Sequence, residues 1–334
     1  MKVLLTGAAG FIAFHVAERL LARGEIVVGV DNLSPYYDVS LKEARLARLE
    51  RRDGFRFLRL DLTDRAGMED LFARERFDEV VHLGAQPGVR HSIDAPFDYA
   101  AANLTGHLAV LEGCRRTDVA HLVYASSSSV YGLNRTPFRA SDRTDHPVSL
   151  YGATKKANEL MTHAYAHLFG VPSTGLRFFT AYGPWGRPDM ATMKFARAIL
   201  AGDPIRVFGH GEMKRDFTYV GDIADAVVAV LDHVPERDPS WTPEAGDPAA
   251  SSAPHRVYNI GNGEPVLLTD FIRTLEGLLG RKANVVLEEL QPGDLVETSS
   301  DTEPLARLVG AVPGTPLAEG LARFVAWYRE YYRV

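Results

Sequence analysis

The chain has 334 residues, of which 46% are hydrophobic and 24% are charged, proportions that suit a globular protein of one large or two coupled domains. Its formal net charge of -6 leaves no basic surplus, so composition disfavours nucleic acid as a partner. The single cysteine, Cys114, excludes an internal disulfide, and neither a signal-peptide pattern nor an apolar run of about 18 residues occurs. We therefore expect a cytoplasmic protein without a membrane partner.

The first thirty residues carry the pattern of a dinucleotide-binding turn. Residues 2–6 predict a buried strand, GAAG predicts a tight turn, and an amphipathic helix leads to a second strand over 26–30 that ends at Asp31. Gly7 and Gly10 let the backbone approach a pyrophosphate, whose charge meets the helix N-terminus. Asp31 can accept hydrogen bonds from an adenosine ribose and would repel a 2′-phosphate. The unit therefore predicts NAD rather than NADP.

Strands and helices continue to alternate through the first 180 residues. Further strands are predicted over 55–60, 79–84, 121–126 and 171–179, and helices over 65–75, 96–116 and 151–169. Repeated units of this kind form a parallel sheet with helices on both faces, and ligands bind beyond the carboxyl ends of its strands. Residues 1–180 thus predict an α/β, Rossmann-like, doubly wound parallel sheet that binds NAD and carries the catalytic residues.

The pattern changes after Thr180. YGPWGRPDM is rich in turn residues, and the helices and short strands that follow alternate less regularly. Residues 235–254 are rich in Pro, Asp, Ala and Ser, which predicts a surface loop. We interpret residues 181–334 as mainly a smaller C-terminal α/β substrate lobe that caps the first domain, and we leave open that the chain returns to the first domain.

Tyr151 and Lys155 stand four residues apart, which places them on one face of a helix. A nearby ammonium favours the phenolate and lowers the pKa of a phenol, which is about 10 when unperturbed. The pair is therefore a candidate general base, and Ser127 upstream could share the proton. The same spacing is frequent on ordinary amphipathic helices. It gains weight here because it follows a dinucleotide-binding pattern and accompanies polar residues at other strand ends.

Several short motifs together carry a resemblance that covers essentially the whole chain. TGAAGFI, DLTD, HLGAQ, ASSSSVYG, YGATK and RFFTAYGP are similar to the extended short-chain dehydrogenase/reductase superfamily. Within it, HPVSLYGATKKANELM, RFFTAYGPWGRPDM and KRDFTYVGDIADAV resemble UDP-glucuronate 4-epimerases. This chain departs from the superfamily pattern in having Ala13 for a third glycine and glycines for alanines at Gly84 and Gly152. None of these departures removes a reacting group.

The resemblance implies a mechanism with bound NAD. Tyr151 would take the proton of the sugar's C4 hydroxyl while C4 loses a hydride, and the 4-keto sugar would turn over before the hydride returns to its other face. Lys155 would hold the ribose and lower the tyrosine pKa, and Ser127 would relay the proton. The implied cofactor-binding residues are Gly7, Gly10, Phe11, Ile12, Asp31, Asn32, Asp61, Leu62, Leu83, Ala85, Gln86, Asn103, Tyr151, Lys155 and Phe178. No histidine spacing suggests a metal site.

The resemblance also implies how the nucleotide is held. A diphosphate calls for arginine, whose planar fork binds oxyanions, and Arg215 matches the diphosphate-binding arginine of these enzymes. Val207 and Phe208 would border the uracil, and Asp294 would close the site. Arg215 could instead form a salt bridge to Asp216 or face solvent.

The sugar carboxylate needs donors of its own. The resemblance places Ser128, Ser129, Thr180 and Arg187 around it, with Arg90 as a weaker candidate. Hydroxyl groups hold a carboxylate with modest strength, and Arg187 would add charge. Arg187 could instead only pin its loop, which is rich in Pro and Gly.

Other activities on the same fold remain open. UDP-glucose or UDP-N-acetylglucosamine 4-epimerase is the nearest alternative, and a non-catalytic NAD-binding sensor is a further one, although such sensors often lose the tyrosine or lysine that this chain keeps. Related decarboxylases and 4,6-dehydratases usually carry acidic residues where Ser128 and Ser129 stand. Elimination would therefore lack its acid and base here.

Two helices suggest how the chain assembles. The segments 96–116 and 151–169 resemble the pair that forms a four-helix dimer interface in this superfamily. Apolar stripes are supplied by Leu104, Leu108, Leu111, Leu160, Ala164 and Leu168. We predict a homodimer, with the alternative that these stripes face only the sheet.

Overall fold

The computed structural model describes residues 1–290, 295–310 and 314–334. Its strands are β1 (Lys2–Thr6), β2 (Ile26–Asp31), β3 (Phe55–Arg59), β4 (Glu79–His82), β5 (His121–Ser127), β6 (Ser173–Phe178), β7 (Thr180–Tyr182), β8 (Pro204–Phe208), β9 (Lys214–Tyr219), β10 (His255–Ile260), β11 (Pro265–Leu267) and β12 (Asn284–Glu288). Its α-helices are α1 (Phe11–Ala22), α2 (Val39–Leu49), α3 (Arg65–Glu75), α4 (His91–Asp94), α5 (Pro96–Tyr99), α6 (Gly106–Thr117), α7 (Leu150–Phe169), α8 (Ala191–Ala201), α9 (Val220–Leu231), α10 (Leu268–Leu279), α11 (Glu303–Val309) and α12 (Leu317–Tyr332).

Seven strands form one parallel sheet in the order β10-β6-β5-β4-β1-β2-β3. From β1 the chain first builds outward through β2 and β3, and then crosses to β4 and builds in the opposite direction. The order therefore reverses between β1 and β4, and a crevice at the carboxyl ends of these two strands is the usual ligand site. The predicted Rossmann-like, doubly wound fold is confirmed.

Helices cover both faces of this sheet, which explains why its inner strands are buried along almost their whole length. On one face, Phe14 of α1 and Val227 of α9 belong to the same hydrophobic core. On the other face, Leu71 of α3 and Leu111 of α6 pack into a second core. The sheet thus forms a rigid platform, and the loops at the carboxyl ends of its strands can carry the site.

The C-terminal half contributes to both parts of the molecule. β10 pairs with β6 at the edge of the large sheet, so the chain does return to the first domain after the 235–254 segment, which forms neither helix nor strand. The smaller sheets β11-β9-β7 and β12-β8 lie in the remaining C-terminal part. The division of function at residue 180 stays a prediction.

Two helical regions differ from the sequence prediction. The helix α2 was not predicted, because its buried face includes the charged residues Lys42 and Arg45, which interrupt the apolar pattern; its start is marked by the side chain of Asp38, which accepts a hydrogen bond from the Ser40 N–H. The predicted helix over 96–116 is divided into α5, a π-helical turn over Ala100–Thr105, and α6. Such π turns occur frequently at functional sites.

The helices α6 and α7 expose most of the predicted apolar stripe. The exposed fractions are 40% for Leu108, 60% for Leu160 and 68% for Leu168. Leu111, in contrast, is fully buried against the sheet, so its assignment to the exposed stripe is wrong. Among the helices of the described residues, none is long and apolar enough to cross a membrane. The cytoplasmic location stays a prediction.

Candidate active site

One cleft follows the carboxyl ends of β1, β2, β4 and β5. It brings together all three predicted catalytic residues, Ser127, Tyr151 and Lys155, with Arg187. The predicted cofactor residues that line it are Gly7, Gly10, Phe11, Ile12, Asp31, Asn32, Asp61, Leu62, Leu83, Ala85, Gln86 and Phe178. Asn103 lies behind the lining, where its side-chain oxygen accepts a hydrogen bond of 2.8 Å from the Gln86 N–H.

The glycine turn forms one wall of the cleft. Gly7 has a φ of +71°, and a Cβ added to it would lie 2.8 Å from the Cα of Gly84, so neither residue has room for a side chain facing the other. A Cβ on Gly84 would itself lie 3.0 Å from Leu62 and Thr6 side-chain atoms. Gly84, which stands where the superfamily pattern has alanine, is therefore part of the close approach between the ends of β1 and β4.

The helix α1 begins beside this turn without a side-chain cap. Gly10 occupies its N-cap position, and Gly10, Phe11 and Ile12 line the cleft. The first N–H groups of a helix have no partner within the helix, and the helix dipole favours negative charge there. The glycine turn and the uncapped helix end therefore fit the pyrophosphate of a dinucleotide.

The carboxylates of Asp31 and Asp61 also line the cleft. Asp31 accepts hydrogen bonds from the Leu33 N–H at 2.8 Å and the Ala9 N–H at 3.2 Å, which fix its orientation. Asp61 accepts a hydrogen bond of 2.7 Å from Asn32. Burial acts to raise the pKa of the Asp61 carboxyl, but hydrogen bonds from Thr63 and Asn32 outweigh burial and hold that pKa below its usual range. Asp61 is thus an ionised acceptor at neutral pH.

Tyr151 and Lys155 occupy the first turn and a half of α7. Ser149 caps this helix by accepting a hydrogen bond of 3.1 Å from the Gly152 N–H. Lys155 is buried and donates a hydrogen bond of 3.0 Å to the Ala125 carbonyl oxygen on β5. Burial lowers the pKa of the Lys155 ammonium to about 8. The lysine is therefore fixed between α7 and the end of β5.

The pKa of Tyr151 does not follow the sequence expectation. Burial raises the pKa of the phenol, while a hydrogen bond with Ser127 and the positive charge of Arg187 act to lower it. In the protein alone, burial has the larger effect. Because a phenolate needs more positive charge than these groups provide, a cationic ligand beside the phenol would favour the basic form.

A buried ion pair behind the catalytic residues was missed by the sequence analysis. Glu159 accepts hydrogen bonds from Arg177 at 2.8 and 2.9 Å and from the Ser126 hydroxyl at 2.6 Å. Burial acts to raise the pKa of Glu159, but the charge of Arg177 outweighs burial and lowers this pKa to about 2. The network ties α7 to β5 and β6. The sequence feature that could have indicated this network is the position of Glu159, which lies four residues beyond Lys155 on the same face of α7.

The serines after Ser127 form a short 3₁₀ turn over Ser128–Tyr131. The Ser129 N–H donates a hydrogen bond of 3.2 Å to the Ser127 hydroxyl oxygen. A Cβ on Gly152 would lie 2.5 Å from the Ser129 carbonyl oxygen, so glycine lets α7 approach this turn more closely than alanine would. Ser128, Ser129 and Thr180 are partly buried and do not themselves line the cleft, but each lies within two residues of one that does.

Arg187 anchors its loop and also lines the cleft, while its binding of the sugar carboxylate stays a prediction. Its guanidinium forms two hydrogen bonds to Asp189, at 3.0 and 2.5 Å, and so it does pin its own loop. It also lines the cleft that contains Tyr151, and its positive charge acts on the Tyr151 phenol. The guanidinium is therefore positioned for an anionic group near the catalytic tyrosine.

The predicted nucleotide-binding residues Val207, Phe208 and Arg215, and the weaker carboxylate candidate Arg90, lie outside the lining of this cleft. The guanidinium of Arg90 lies 4.8 Å from the ring centroid of Phe208, so these two residues are neighbours. Val207 is fully buried, and its place beside the uracil stays a prediction. Asp294 lies outside the described residues.

Arg215 is anchored to neighbouring backbone. It donates hydrogen bonds to the carbonyl oxygens of Lys214 at 2.9 Å and Val296 at 3.2 Å. Asp216, the alternative partner considered for it, is buried and accepts hydrogen bonds from the backbone N–H groups of Asn262 and Gly263. Among the described residues, no salt bridge joins Arg215 to Asp216.

Comparison with protein families identifies the chain. The model of the NAD-dependent epimerase/dehydratase family matches residues 3–261. The chain belongs to this family. A probable UDP-glucuronate 4-epimerase from Rhizobium meliloti is 47% identical over 336 residues, which cover 100% of this chain and 98% of that protein.

Solved structures of epimerases have the same fold. A UDP-glucuronic acid 4-epimerase from Bacillus cereus, in complex with UDP-glucuronic acid and NAD, has a TM-score of 0.87 and 32% identity, and the match covers 99% of this chain and 100% of that one. A UDP-glucose 4-epimerase from Thermotoga maritima, with UDP-glucose, has a TM-score of 0.85 and 29% identity over 99% of this chain and 100% of that one. The fold alone therefore does not separate these substrates.

The cleft of this member of the epimerase/dehydratase family also contains residues of the β2–α2 loop and of α2 that were not predicted from the sequence. Tyr36 and Tyr37 of the loop and Lys42 of α2 line the cleft, and Lys42 donates a hydrogen bond of 2.9 Å to the Ser34 carbonyl oxygen. The only sequence signal was their place in the segment that follows Asp31, the acid that ends β2. Across the ranges 1–290, 295–310 and 314–334, no group of three or more His, Cys, Asp or Glu residues is arranged to hold a metal ion.

Proposed function

We propose that this protein is an NAD-dependent UDP-glucuronate 4-epimerase, which interconverts UDP-glucuronate and UDP-galacturonate through a transient 4-keto sugar. The observation that carries the proposal is one cleft that joins a dinucleotide cradle to Ser127, Tyr151, Lys155 and a cationic Arg187. The names of the Rhizobium relative and of the Bacillus structure support the same substrate.

The residues of the cleft fit NAD. Gly7 and Gly10 leave space for the pyrophosphate, and the uncapped start of α1 provides N–H donors. Asp31 would accept the hydrogen bonds of the adenosine ribose. When bound, NAD supplies the hydride acceptor and donor for C4 of the sugar and a positive charge on its nicotinamide ring. The protein supplies the orientation, the base and the exclusion of water.

Tyr151 is the proposed general base for the C4 hydroxyl. The hydrogen bond with Ser127 and the charge of Arg187 act to lower its pKa, and both would help it accept a proton. Lys155, held by the Ala125 carbonyl oxygen, would bind the ribose of the nicotinamide half. When the sugar is reduced again on its other face, Tyr151 would return the proton to the C4 oxygen.

The carboxylate of the sugar requires special handling. Oxidation at C4 places a ketone β to this carboxylate, and such an acid can lose carbon dioxide when the breaking bond aligns with the carbonyl π system. We propose that Ser128, Ser129, Thr180 and Arg187 hold the carboxylate away from that alignment. The 3₁₀ turn after β5 has the sequence SSVY and contains no acidic side chain that could assist departure.

We propose that the nucleotide half is held separately from the sugar. Arg215 would bind the diphosphate, since a planar guanidinium matches two oxyanions, and Val207 and Phe208 would border the uracil. Asp294 would close the site. This arrangement would let the nucleotide stay fixed while the sugar ring turns over.

NAD is expected to bind far more tightly than NADP, because Asp31 would repel a 2′-phosphate. We expect Asp31→Ala to reduce this preference by weakening NAD binding and relieving the repulsion of NADP. Fluorescence titration of the cofactor-free protein with both nucleotides measures this change. Asp53→Ala, at an exposed position, is the matched control. Tighter binding of NADP than of NAD by the unaltered protein would contradict the role of Asp31.

We also propose that the protein is a homodimer that buries the exposed stripe of α6 and α7. The stripe contains Leu108, Leu160, Ala164 and Leu168, with Leu104 partly exposed beside them. Static light scattering at micromolar concentration is expected to give twice the chain's 36.7 kDa, and Leu160→Glu is expected to give the monomer mass. The exposed Val286 provides a matched control, Val286→Glu, which should remain dimeric. A monomer mass for the unaltered protein would refute this assembly.

The function is tested by incubating the purified protein with UDP-glucuronate, UDP-glucose and UDP-N-acetylglucosamine separately. Proton NMR distinguishes the C4 epimers of each sugar. We expect conversion of UDP-glucuronate to UDP-galacturonate at a kcat/KM well above that for the two other sugars. Faster conversion of either neutral sugar would replace the proposed substrate, and no conversion of any sugar would favour a binding role.

A further inference from the structure

Asp189 holds the cleft arginine from behind. It lies on the loop between β7 and α8, and its two carboxylate oxygens accept hydrogen bonds from the Arg187 Nε at 3.0 Å and Nη2 at 2.5 Å. The side chains remain partly accessible, with exposed fractions of 20% for Arg187 and 26% for Asp189. A two-point bond of this kind fixes the plane of the guanidinium as well as its position.

The opposite edge of the same guanidinium is open. Within the part of the chain that the structure describes, no acceptor is hydrogen-bonded to the Nη1 of Arg187. Arg187 lines the cleft together with Tyr151, and its positive charge acts on the Tyr151 phenol, so the guanidinium lies within electrostatic reach of the catalytic residues. Since arginine has five N–H donors in a fixed fork, a carboxylate on one edge leaves donors for a second anion on another edge.

Tyr36 fixes Asp189 in turn. The Tyr36 hydroxyl donates a hydrogen bond of 3.2 Å to Asp189 Oδ2, and its ring centroid lies 4.8 Å from that of His91. Tyr36 belongs to the β2–α2 loop, whose residues Asn32 and Ser34 line the cofactor end of the cleft. A chain of contacts therefore runs from the cofactor loop through Tyr36 and Asp189 to Arg187.

We propose that Asp189, held by Tyr36, is a positioning residue that aims the open edge of Arg187 at the carboxylate of the sugar, and that it thereby determines selectivity for UDP-uronates over neutral UDP-sugars. The inference rests on the proposed function, because it requires a substrate with a carboxylate. A neutral sugar carries a hydroxymethyl group at this position and gains nothing from an oriented guanidinium. Loss of the orientation would therefore affect the two substrate classes unequally.

Asp189→Asn is the central variant, because it keeps the shape of the side chain and removes its charge and one of its two acceptors. Binding is measured by calorimetry in a protein that also carries Tyr151→Phe, so that the sugars do not turn over. We expect UDP-glucuronate to bind about tenfold more weakly, and UDP-glucose to bind within about twofold of the parent. Tyr36→Phe should act in the same direction with a smaller effect. Asp203→Asn, at an exposed position, is the matched control.

Two results would overturn the inference. Equal weakening of both sugars would mean that Asp189 only supports its loop, and tighter binding of UDP-glucuronate would mean that Asp189 competes with the substrate for Arg187. Arg187→Ala, measured in parallel, separates this inference from the proposed function. If Arg187→Ala removes the preference for UDP-glucuronate and Asp189→Asn does not, only the role of Asp189 fails; if Arg187→Ala also leaves the preference unchanged, the carboxylate site itself is wrong.

Discussion

Tyr151→Phe is expected to lower kcat for UDP-glucuronate epimerisation by about two to four orders of magnitude, the usual contribution of a positioned general base. Phenylalanine keeps the ring and removes the oxygen that would accept the C4 proton. Binding of UDP-glucuronate should remain close to that of the parent, because the carboxylate and nucleotide contacts come from other residues. Steady-state kinetics and calorimetry measure the two quantities separately.

The matched control for this change lies on the same helix. Tyr165 is also on α7, and its hydroxyl donates a hydrogen bond of 2.7 Å to Glu112, away from the cleft. Tyr165→Phe should keep kcat within about threefold of the parent. If Tyr151→Phe retains most of the parent's kcat, another group must remove the C4 proton.

Arg187→Ala is expected to weaken UDP-glucuronate binding by about 10- to 150-fold, which corresponds to the loss of about 1.5–3 kcal/mol from a charge-assisted hydrogen bond. The structure favours the upper part of this range, because the change also leaves the Asp189 carboxylate without its partner beside an anionic sugar. UDP-glucose binding should change much less. Calorimetry with both nucleotide sugars, and with the exposed Arg197→Ala as a control, gives the comparison.

The same variant should change both the pH dependence and the products. The charge of Arg187 acts to lower the pKa of Tyr151, so its removal should raise that pKa and move the rise of kcat to higher pH. A carboxylate held less firmly should also lose carbon dioxide more often after oxidation at C4, which leaves a 4-keto pentose and NADH. Mass spectrometry and absorbance at the NADH band detect these products. Equal weakening of both sugars without extra carbon dioxide would make Arg187 a loop anchor only.

The sequence predicted the large sheet well because its signals are local. Buried parallel strands are apolar along their length, and the glycine turn and the acid after β2 lie within thirty residues of each other. The helix α2 was missed because the charged residues Lys42 and Arg45 lie on its buried face and interrupt the apolar pattern. The burial of Leu111 could not be separated from the exposure of Leu108, since the two lie near the same apolar stripe and only the packed structure shows which one faces the sheet.

The parts of the site that consist of contiguous sequence motifs could be predicted from the sequence. The parts where distant loops meet could not. Tyr36 and Asp189 are 153 residues apart, and nothing in either local sequence indicates the hydrogen bond between them. The pKa of Tyr151 was expected to fall because the spacing to Lys155 was visible. The burial that raises it in the structure depends on how the loops close around the phenol.

The reaction itself is tested most directly with UDP-glucuronate carrying deuterium at C4, incubated with the NAD-loaded protein in ordinary water. The proposed mechanism removes this deuterium as hydride and returns the same atom to the other face of C4, with Tyr151 moving only the hydroxyl proton. Proton NMR and mass spectrometry are therefore expected to show UDP-galacturonate that retains deuterium at C4. Formation of UDP-galacturonate with solvent hydrogen at C4, or no UDP-galacturonate at all, would contradict the assignment.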